Sequence, residues 1–367
     1  MRKTEKANRE PLFRIVKRDN ISLAKKALIY AIALVGGLMI GALLCSIFSA
    51  KGEFAEFFKA LYKGALGSER KIWILCRDTA LLLGVSLALV PAFKMKFWNL
   101  GGNGQVLVGC LSTVACMYYL GGKLPDNVVI VFMIVSSILA GAIWAIIPAI
   151  FKAFFNTNES LFTLMMNYIA QGLVMVCISA WVKTGSGVLT PLKHAHLPKL
   201  INDHFLIILV FVILCLFMFV YLRYSKQGYE ISVVGESQNT AKYIGINVKK
   251  VIIRTLILSG AICGLVGLFI GGSMNYTVNT GSASNMGFTG IMTAWLANFN
   301  PIMMLLSCLF ITSISKGMVQ VRKDFAFTND AIANLVIGIV YFCVIACYFF
   351  ITYKVVFKKS AGKENDK

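Results

Sequence analysis

The polar stretch at residues 228–250, GYEISVVGESQNTAKYIGINVKK, separates two apolar runs at residues 205–222 and 251–272. It is the longest polar interruption in the second half of the chain. Its lysines and glutamates should keep it in water, and a basic loop favours the cytoplasmic side of a membrane. Within it, residues 236–244 are predicted to form a short helix, with Gly235 before it and Gly245 as the stop signal. A partner protein that binds a short helix held between two membrane spans can move those spans.

The composition is that of a polytopic membrane protein. Of 367 residues, 58% are hydrophobic and 14% are charged, and the mean hydropathy is +0.75, whereas soluble domains carry about 25% charged residues. The net charge of +20 is concentrated at the two ends: nine of the 36 Lys and Arg residues lie in the basic segment 1–26, and five lie in the tail 354–367. The positive-inside rule therefore places both termini in the cytoplasm and predicts an even number of crossings. The same distribution argues against a nucleic-acid partner.

A membrane-spanning helix needs about 20 apolar residues, and this length predicts an all-α transmembrane domain at residues 27–353. The polar loop at 223–250 interrupts this domain on the cytoplasmic side. One element, at 286–297, is only half a span long and is predicted to be a short or broken helix. The ten predicted elements lie at residues 27–49, 72–93, 104–120, 128–150, 160–182, 205–222, 251–272, 286–297, 302–318 and 331–353.

Two short motifs recur in the same order along the chain. NLGGNG at residues 99–104 matches NMGFTG at 285–290, and NESLFTL at 158–164 matches NDAIANL at 329–335. Each motif opens a membrane element, and an odd number of crossings separates the copies, so the two copies would be inverted in the membrane. Inverted repeats with interrupted helices are a recurring transporter architecture, with the solute path at the repeat interface.

Asparagine and glutamine side chains cluster near these predicted helix starts. Glycines let backbones approach closely there, and the neighbouring amides can hydrogen-bond a polar solute. A capped helix start accounts for the same residues equally well. Asn167 and Gln171 lie one turn apart on one face of a span, where buried amides either join helices or line a polar path. The candidate pathway residues are Asn99, Asn103, Gln105, Asn167, Gln171, Asn285 and Thr289.

The sequence contains no motif that supports an enzyme, a metal site or a cofactor. His194 and His196 form an HxH pair, but no acidic or cysteine ligand lies close beside them. The ten cysteines lie within or at the edges of apolar runs and form no CxxC pair, as expected of small core residues. No P-loop or HExxH motif is present. We therefore predict no catalytic residue, no metal site and no cofactor.

Two adjacent charged residues, Arg77 and Asp78, lie in the second predicted span. Neighbouring positions point to different sides of a helix, so the two are predicted not to pair, and Arg77 is expected to snorkel to the outer interface. A secondary transporter or channel would carry charged residues deep in several spans. Only these two residues approach that pattern.

Four segments resemble the membrane permease subunit of the bacterial ABC importers grouped with ribose, branched-chain amino acid and nucleoside uptake. The resemblance is nearest to the nucleoside-type simple-sugar branch that works with basic-membrane-protein lipoproteins. The segments lie at residues 98–105, 158–170, 228–267 and 287–301. In this family the polar loop docks into the ATPase, and its short helix transmits the conformational change of the ATPase to the membrane spans. The loop residues implied in this coupling are Glu230, Gly235, Glu236, Ala241, Lys242, Tyr243 and Gly245, with Glu236, Lys242 and Tyr243 as the contacting face.

The resemblance implies a multi-pass protein of the bacterial cell membrane that imports a nucleoside-like or sugar-like solute. The implied partners are a separate cytoplasmic ABC ATPase, a second permease (homologous or identical), an extracytoplasmic solute-binding lipoprotein and the lipid bilayer. Ribose, another sugar or a branched-chain amino acid is the alternative solute. The family usually has acidic residues where Asn103 and Thr289 stand in this sequence. Both replacements remove a negative charge near the expected path, and an uncharged nucleoside would not require those charges.

Overall fold

The computed structural model describes residues 13–17, 22–49, 53–182, 187–327 and 331–357. These residues form two compact units, Lys63–Lys316 and the described part of Met1–Tyr62 with Gly317–Lys367. Most of the basic residues of the segments 1–26 and 354–367, and Asn329 of the second repeated motif, lie outside the described residues.

Helices form at all ten predicted membrane elements. They are α1 (Leu23–Phe48), α3 (Glu69–Lys94), α4 (Gly102–Leu120), α5 (Asp126–Phe155), α6 (Glu159–Trp181), α7 (Phe205–Tyr224), α10 (Val248–Phe269), α11 (Met286–Leu296), α12 (Pro301–Asp324) and α13 (Ala331–Thr352). A π-helical segment, Ile270–Asn275, extends α10. The connections contain α2 (Phe54–Leu66), α8 (Lys226–Glu236) and α9 (Gln238–Tyr243).

Seven helices of the described chain are long and apolar enough to cross a membrane, and α11 is shorter, with 11 residues. The prediction of an all-α polytopic fold with one short element is therefore confirmed. The helix α4 has the length of a span, but it begins with the polar sequence GNGQ.

Close contacts between backbones hold α10 at the centre of the unit Lys63–Lys316. A β-carbon built on Gly260 would collide with the carbonyl oxygen of Gly141 in α5, and one built on Gly109 of α4 would lie 2.6 Å from the Cα of Gly264. Small residues at helix contacts are typical of membrane proteins, because apolar lipid gives little hydrophobic drive to associate. The glycines of α10 therefore allow α4 and α5 to pack directly on its backbone.

In the other unit, α1 packs against α13, and the chain ends pair as strands. A β-carbon built on Gly41 would lie 2.6 Å from Cγ1 of Val336. The strands β1 (Phe13–Lys17) and β2 (Tyr353–Phe357) are antiparallel, with Phe13 opposite Phe357. This pairing places Phe13–Lys17 and Tyr353–Phe357 next to each other.

The prediction that Arg77 and Asp78 do not pair is wrong. The Arg77 Nε atom donates to Asp78 Oδ1 at 2.8 Å, because the long guanidinium side chain folds back over the neighbouring position. Lys316 of α12 also forms an ion pair with Asp78. Asp78 therefore lies between two cations, one from α3 and one from α12, and all three side chains are only partly exposed.

Replacing Gly260 by valine should lower the thermal unfolding midpoint of the detergent-solubilised protein. The added side chain would force α5 and α10 apart, and overpacking of this kind costs about 1–3 kcal/mol. The matched control is Gly338→Val in α13, where an added β-carbon meets nothing within 4 Å. Equal midpoints for the two variants would contradict the close packing.

Candidate functional site

The helices α4 and α11 begin beside each other, and the two copies of the glycine motif are in contact there. Asn103 Oδ1 accepts a hydrogen bond from the backbone N–H of Gly287 at 2.7 Å. A β-carbon built on Gly102 would lie 3.3 Å from the Cα of Gly287. The sequence repeat therefore corresponds to two helix starts that meet inside the bundle.

From this meeting point the two helices run in opposite directions. The far end of α4 carries Tyr118, which stacks on Trp181 at the end of α6 with ring centroids 5.2 Å apart. The far end of α11 carries Trp295, which stacks on Trp98 at 5.7 Å, and Trp98 lies near the start of α6, where its carbonyl accepts from Thr163. This is the arrangement that an inverted repeat predicts.

The helix α6 satisfies the backbone groups at the start of α4. Asn167 Oδ1 accepts from the N–H of Gly104 at 2.7 Å, and Asn167 Nδ2 donates to the carbonyl of Leu100 at 2.9 Å. Thr163 Oγ1 accepts from the N–H of Leu100 at 3.0 Å. A helix start leaves N–H groups unpaired, and inside a membrane no water is available to pair them. These side chains therefore make an interrupted span tolerable.

A cavity of about 230 Å³ lies beside the two helix starts. Its described lining contains four carboxamide side chains and no charged one. Carboxamides offer both hydrogen-bond donors and acceptors, so the cavity suits an uncharged polar solute. The lining residues are Asn103, Leu107, Asn167, Gln171, Thr280, Gly281, Ala283, Ser284 and Asn285.

The structure divides the seven candidate pathway residues into two groups. Four of them, Asn103, Asn167, Gln171 and Asn285, line the cavity. Asn99 and Gln105 are buried behind it, where Asn99 Nδ2 donates to Ser259 Oγ of α10 at 3.2 Å and Asn99 Oδ1 accepts from the N–H of Gly101 at 3.0 Å. Thr289 is half-buried in the first turn of α11 and is not among the lining residues.

The sequence reasoning missed the segment between the π-helical turn and α11. Thr280, Gly281, Ala283 and Ser284 line the cavity. They belong to the run TGSAS, which directly precedes the second copy of the glycine motif. Such a run of small and polar residues between two apolar elements is the sequence feature that could have identified this segment as part of the cavity lining.

The polar loop contains two helices, so the prediction of one helix starting at Glu236 is wrong. Glu236 ends α8, and Ser237 adopts an extended conformation in which its Oγ accepts from the N–H of Thr240 at 3.2 Å, capping α9. The helix α8 forms because Ile231 and Val234 recur at helical spacing on a buried face. The stop at Gly245 is confirmed, since its φ of 83° ends the helical conformation.

The loop residues also divide into an exposed group and an anchoring group. Glu236, Lys242 and Tyr243 are exposed, and Tyr243 is 91% exposed. Glu230 instead forms an ion pair with Arg254 of α10 at 2.9 Å, and Ala241 is fully buried. The exposed group is available to a partner, while the anchoring residues hold the loop to the bundle.

The histidines of the HxH pair lie in the segment before α7. The N–H of Leu197 donates to the carbonyl of Gly272 at 3.0 Å, and the His196 ring stacks on Tyr276 at 3.9 Å. Among the described residues, no group of three His, Cys, Asp or Glu side chains is placed to hold a metal ion. His196 thus packs against the end of the π-helical extension of α10, whereas His194 lies beside Gly121 and Gly122 after α4.

Interrupted antiparallel helices around a polar cavity define a polytopic membrane transport protein. The family described as branched-chain amino acid transport system / permease component matches residues 74–345. The chain belongs to this family, and the resemblance to ABC importer permeases is confirmed.

Three relatives span most of the chain. It is 27% identical to the guanosine ABC transporter permease protein of Bacillus subtilis (strain 168), over 88% of this chain and 93% of the relative. It is 26% identical to the nucleoside ABC transporter permease protein of Lactococcus lactis subsp. cremoris (strain MG1363), over 90% and 92% of the two chains. It is also 26% identical to the glucose ABC transporter permease protein of Haloferax volcanii, over 77% of each chain.

Replacing Asn167 by leucine should destabilise the protein more than replacing Gln171 by leucine. The first change leaves the Gly104 N–H and the Leu100 carbonyl without their partner, at a cost of about 1–3 kcal/mol for a buried polar group. Gln171 has no hydrogen-bond partner among the described residues, so its loss should cost less. Thermal unfolding in detergent measures both, and equal losses would contradict the capping role of Asn167.

Proposed function

We propose that this permease moves an uncharged nucleoside-like or sugar-like solute into the cytoplasm as part of an ABC importer. The observation that supports this most directly is the cavity with its four carboxamides and uncharged lining. Carboxamides match the donors and acceptors of a nucleobase, a ribose or a sugar hydroxyl. The names of the relatives, which specify guanosine, nucleosides and glucose, support the same solute class.

A branched-chain amino acid is the alternative solute within the family, and the chemistry of the cavity disfavours it. A zwitterion carries two full charges, and burying them without charged partners is costly. The described lining of the cavity offers no such partner. Ribose and other sugars remain compatible with the carboxamides.

A secondary transporter or channel is a second alternative, and the placement of charge disfavours it. Ion or proton coupling would need ionisable groups at membrane depth on the path. Asp78 instead forms ion pairs with both Arg77 and Lys316, and none of the three residues lines the cavity. The described chain gives this alternative no coupling site.

The same proposal assigns the candidate pathway residues their roles. Asn103, Gln171 and Asn285 contact the solute, and Asn167 both lines the cavity and holds the α4 start. Behind this layer, Asn99, Gln105 and Thr289 support the wall of the cavity.

Energy and solute reach the permease through partner proteins in this proposal. A separate cytoplasmic ATPase docks on the exposed face of the loop 223–250, a second permease completes the path, and an extracytoplasmic lipoprotein delivers the solute. The basic segments 1–26 and 354–367 lie in the cytoplasm, and residues 27–353 form the membrane domain. The positive charge of these segments and the β1–β2 pairing support this orientation.

Uptake of labelled guanosine, glucose and leucine should be compared in cells with and without the chain. We expect uptake of guanosine or glucose to depend on the chain and uptake of leucine to be independent of it. The variant Gln171→Leu should raise the half-saturating concentration of the imported solute about tenfold, because one solute hydrogen bond of about 1–1.5 kcal/mol is lost. Uptake of leucine that depends on the chain would overturn the proposed solute class.

The double variant Glu236→Ala/Tyr243→Ala tests the docking face of the loop. We expect it to reach the membrane in normal amounts, to lose the co-purifying ATPase activity and to abolish uptake. The matched control is Glu56→Ala/Tyr62→Ala, which removes an exposed Glu and an exposed Tyr from α2. Normal uptake by the loop variant would contradict the assignment of this face.

A further inference from the structure

The short turn between α3 and α4, residues 95–101, contacts α8, α11 and α6. We infer that this turn carries the motion of the ATPase-docking loop to α11 and so to the wall of the cavity. The inference rests on the proposed docking of an ATPase on the loop, and it assigns Gly235 and Trp98 as positioning residues. Neither residue lines the cavity.

The first contact joins α8 to the end of α3 without an intervening side chain. A β-carbon built on Gly235 would collide with the carbonyl oxygen of Lys94 and would lie 3.3 Å from the Cα of Met95. Met95 is itself buried, with 3% of its surface exposed. Backbone therefore lies directly against backbone, so a displacement of α8 cannot be absorbed by rearranging a flexible side chain.

The turn and the start of α4 that follows it contact the two ends of α11. At one end, Trp98 stacks on Trp295 with ring centroids 5.7 Å apart and planes 21° apart. At the other end, Asn103, the second residue of α4, accepts the hydrogen bond from the N–H of Gly287. The two contacting residues of α11, Gly287 and Trp295, are separated by about 12 Å of helix. Contact at both ends means that α11 must follow the turn as a unit.

The middle of α11 strengthens this connection, because it packs on the same helix that leads into the turn. Thr293 Oγ1 and Ser86 Oγ of α3 are 2.5 Å apart, and a β-carbon built on Gly290 would lie 3.2 Å from Ser86 Oγ. The segment that directly precedes α11 contains four of the lining residues of the cavity, together with Asn285. A movement of α11 therefore shifts one wall of the cavity.

Glu230 supplies the other attachment of α8, through its ion pair with Arg254 of α10. The glycines of α10 hold it tightly against α4 and α5. The helix α8 thus lies between a closely packed attachment on α10 and the turn that leads to α11. The exposed end of α8 leads directly into α9, which carries Lys242 and Tyr243.

The experiment follows the reactivity of one cavity position in the complete transporter, in native membranes with its ATPase bound. Ser284 is exposed in the cavity lining, and Ser284→Cys introduces a thiol whose alkylation by a polar maleimide is measured. The same chain without this substitution corrects for the ten native cysteines. Rates are compared without nucleotide and with ATP plus vanadate, so the readout needs no knowledge of the solute.

We expect ATP plus vanadate to change the alkylation rate about tenfold in the Ser284→Cys parent, within the range of measured coupling between protein sites. Adding Gly235→Val or Trp98→Ala should abolish this change while ATPase activity still co-purifies with the chain. Trp98→Phe, which restores an aromatic contact, should keep it. The matched control Gly338→Val should also keep it, because an added β-carbon meets nothing within 4 Å there.

Retention of the full ATP-dependent change in Trp98→Ala would overturn the inference. This variant decides the matter even where Gly235→Val fails to reach the membrane, because Trp98 is 44% exposed and its truncation is tolerated more readily. The absence of any ATP effect in the parent would instead overturn the importer cycle, and the inference with it. We expect the ATPase to be lost from Glu236→Ala/Tyr243→Ala and retained by the turn variants. This difference would show that the loop face binds the ATPase, whereas the turn acts after the ATPase has bound.

Discussion

The hydrogen bonds that cap α4 and α11 are the constraint on which the rest of this structure depends. A helix that starts inside a membrane exposes N–H groups that neither lipid nor water satisfies. Asn167 provides the acceptor for Gly104, and Asn103 provides the acceptor for Gly287. Because these acceptors come from other helices, each interrupted helix can exist only in the assembled bundle.

The same carboxamides line the cavity, and in the proposed function they contact the solute. Asn167 uses its oxygen for Gly104 and its nitrogen for Leu100, and Asn103 uses its oxygen for Gly287. One N–H group at the positive end of each helix is thus paired with a carboxamide oxygen of the protein. In the proposed function, a change at Asn103 or Asn167 that alters the solute contacts would therefore also alter a helix start.

Glycine serves a second purpose away from the cavity, where it allows one backbone to lie directly on another. Gly260 does so between α10 and α5, and Gly235 does so between α8 and α3. The first contact builds the closely packed centre of the unit Lys63–Lys316. The second places α8 of the exposed loop directly against the end of α3, beside the turn that leads to α4.

The apolar runs predicted all ten membrane helices, because lipid requires long apolar segments and permits few other structures. The repeated glycine motifs predicted that residues 99–104 and 285–290 correspond to each other. Polarity alone could not separate Asn103 and Gln171, which line the cavity, from Asn99 and Gln105, which are buried behind it, since all four are amides near helix starts. The helix α8 was missed because the glycines in its sequence indicate a turn, whereas its buried face is set by contacts with α3 and α10.

The sequence by itself determined the class of protein, the number and length of the membrane helices and the position of the polar loop. These follow from composition and from apolar periodicity, which act within each segment of the chain. Only the tertiary structure decided that the two glycine motifs touch, which amides face the cavity, that Arg77 pairs with Asp78, and that α8 lies on the end of α3. Those features depend on atoms that are distant in sequence, or on side-chain conformations that the surrounding helices select, and no local pattern specifies them.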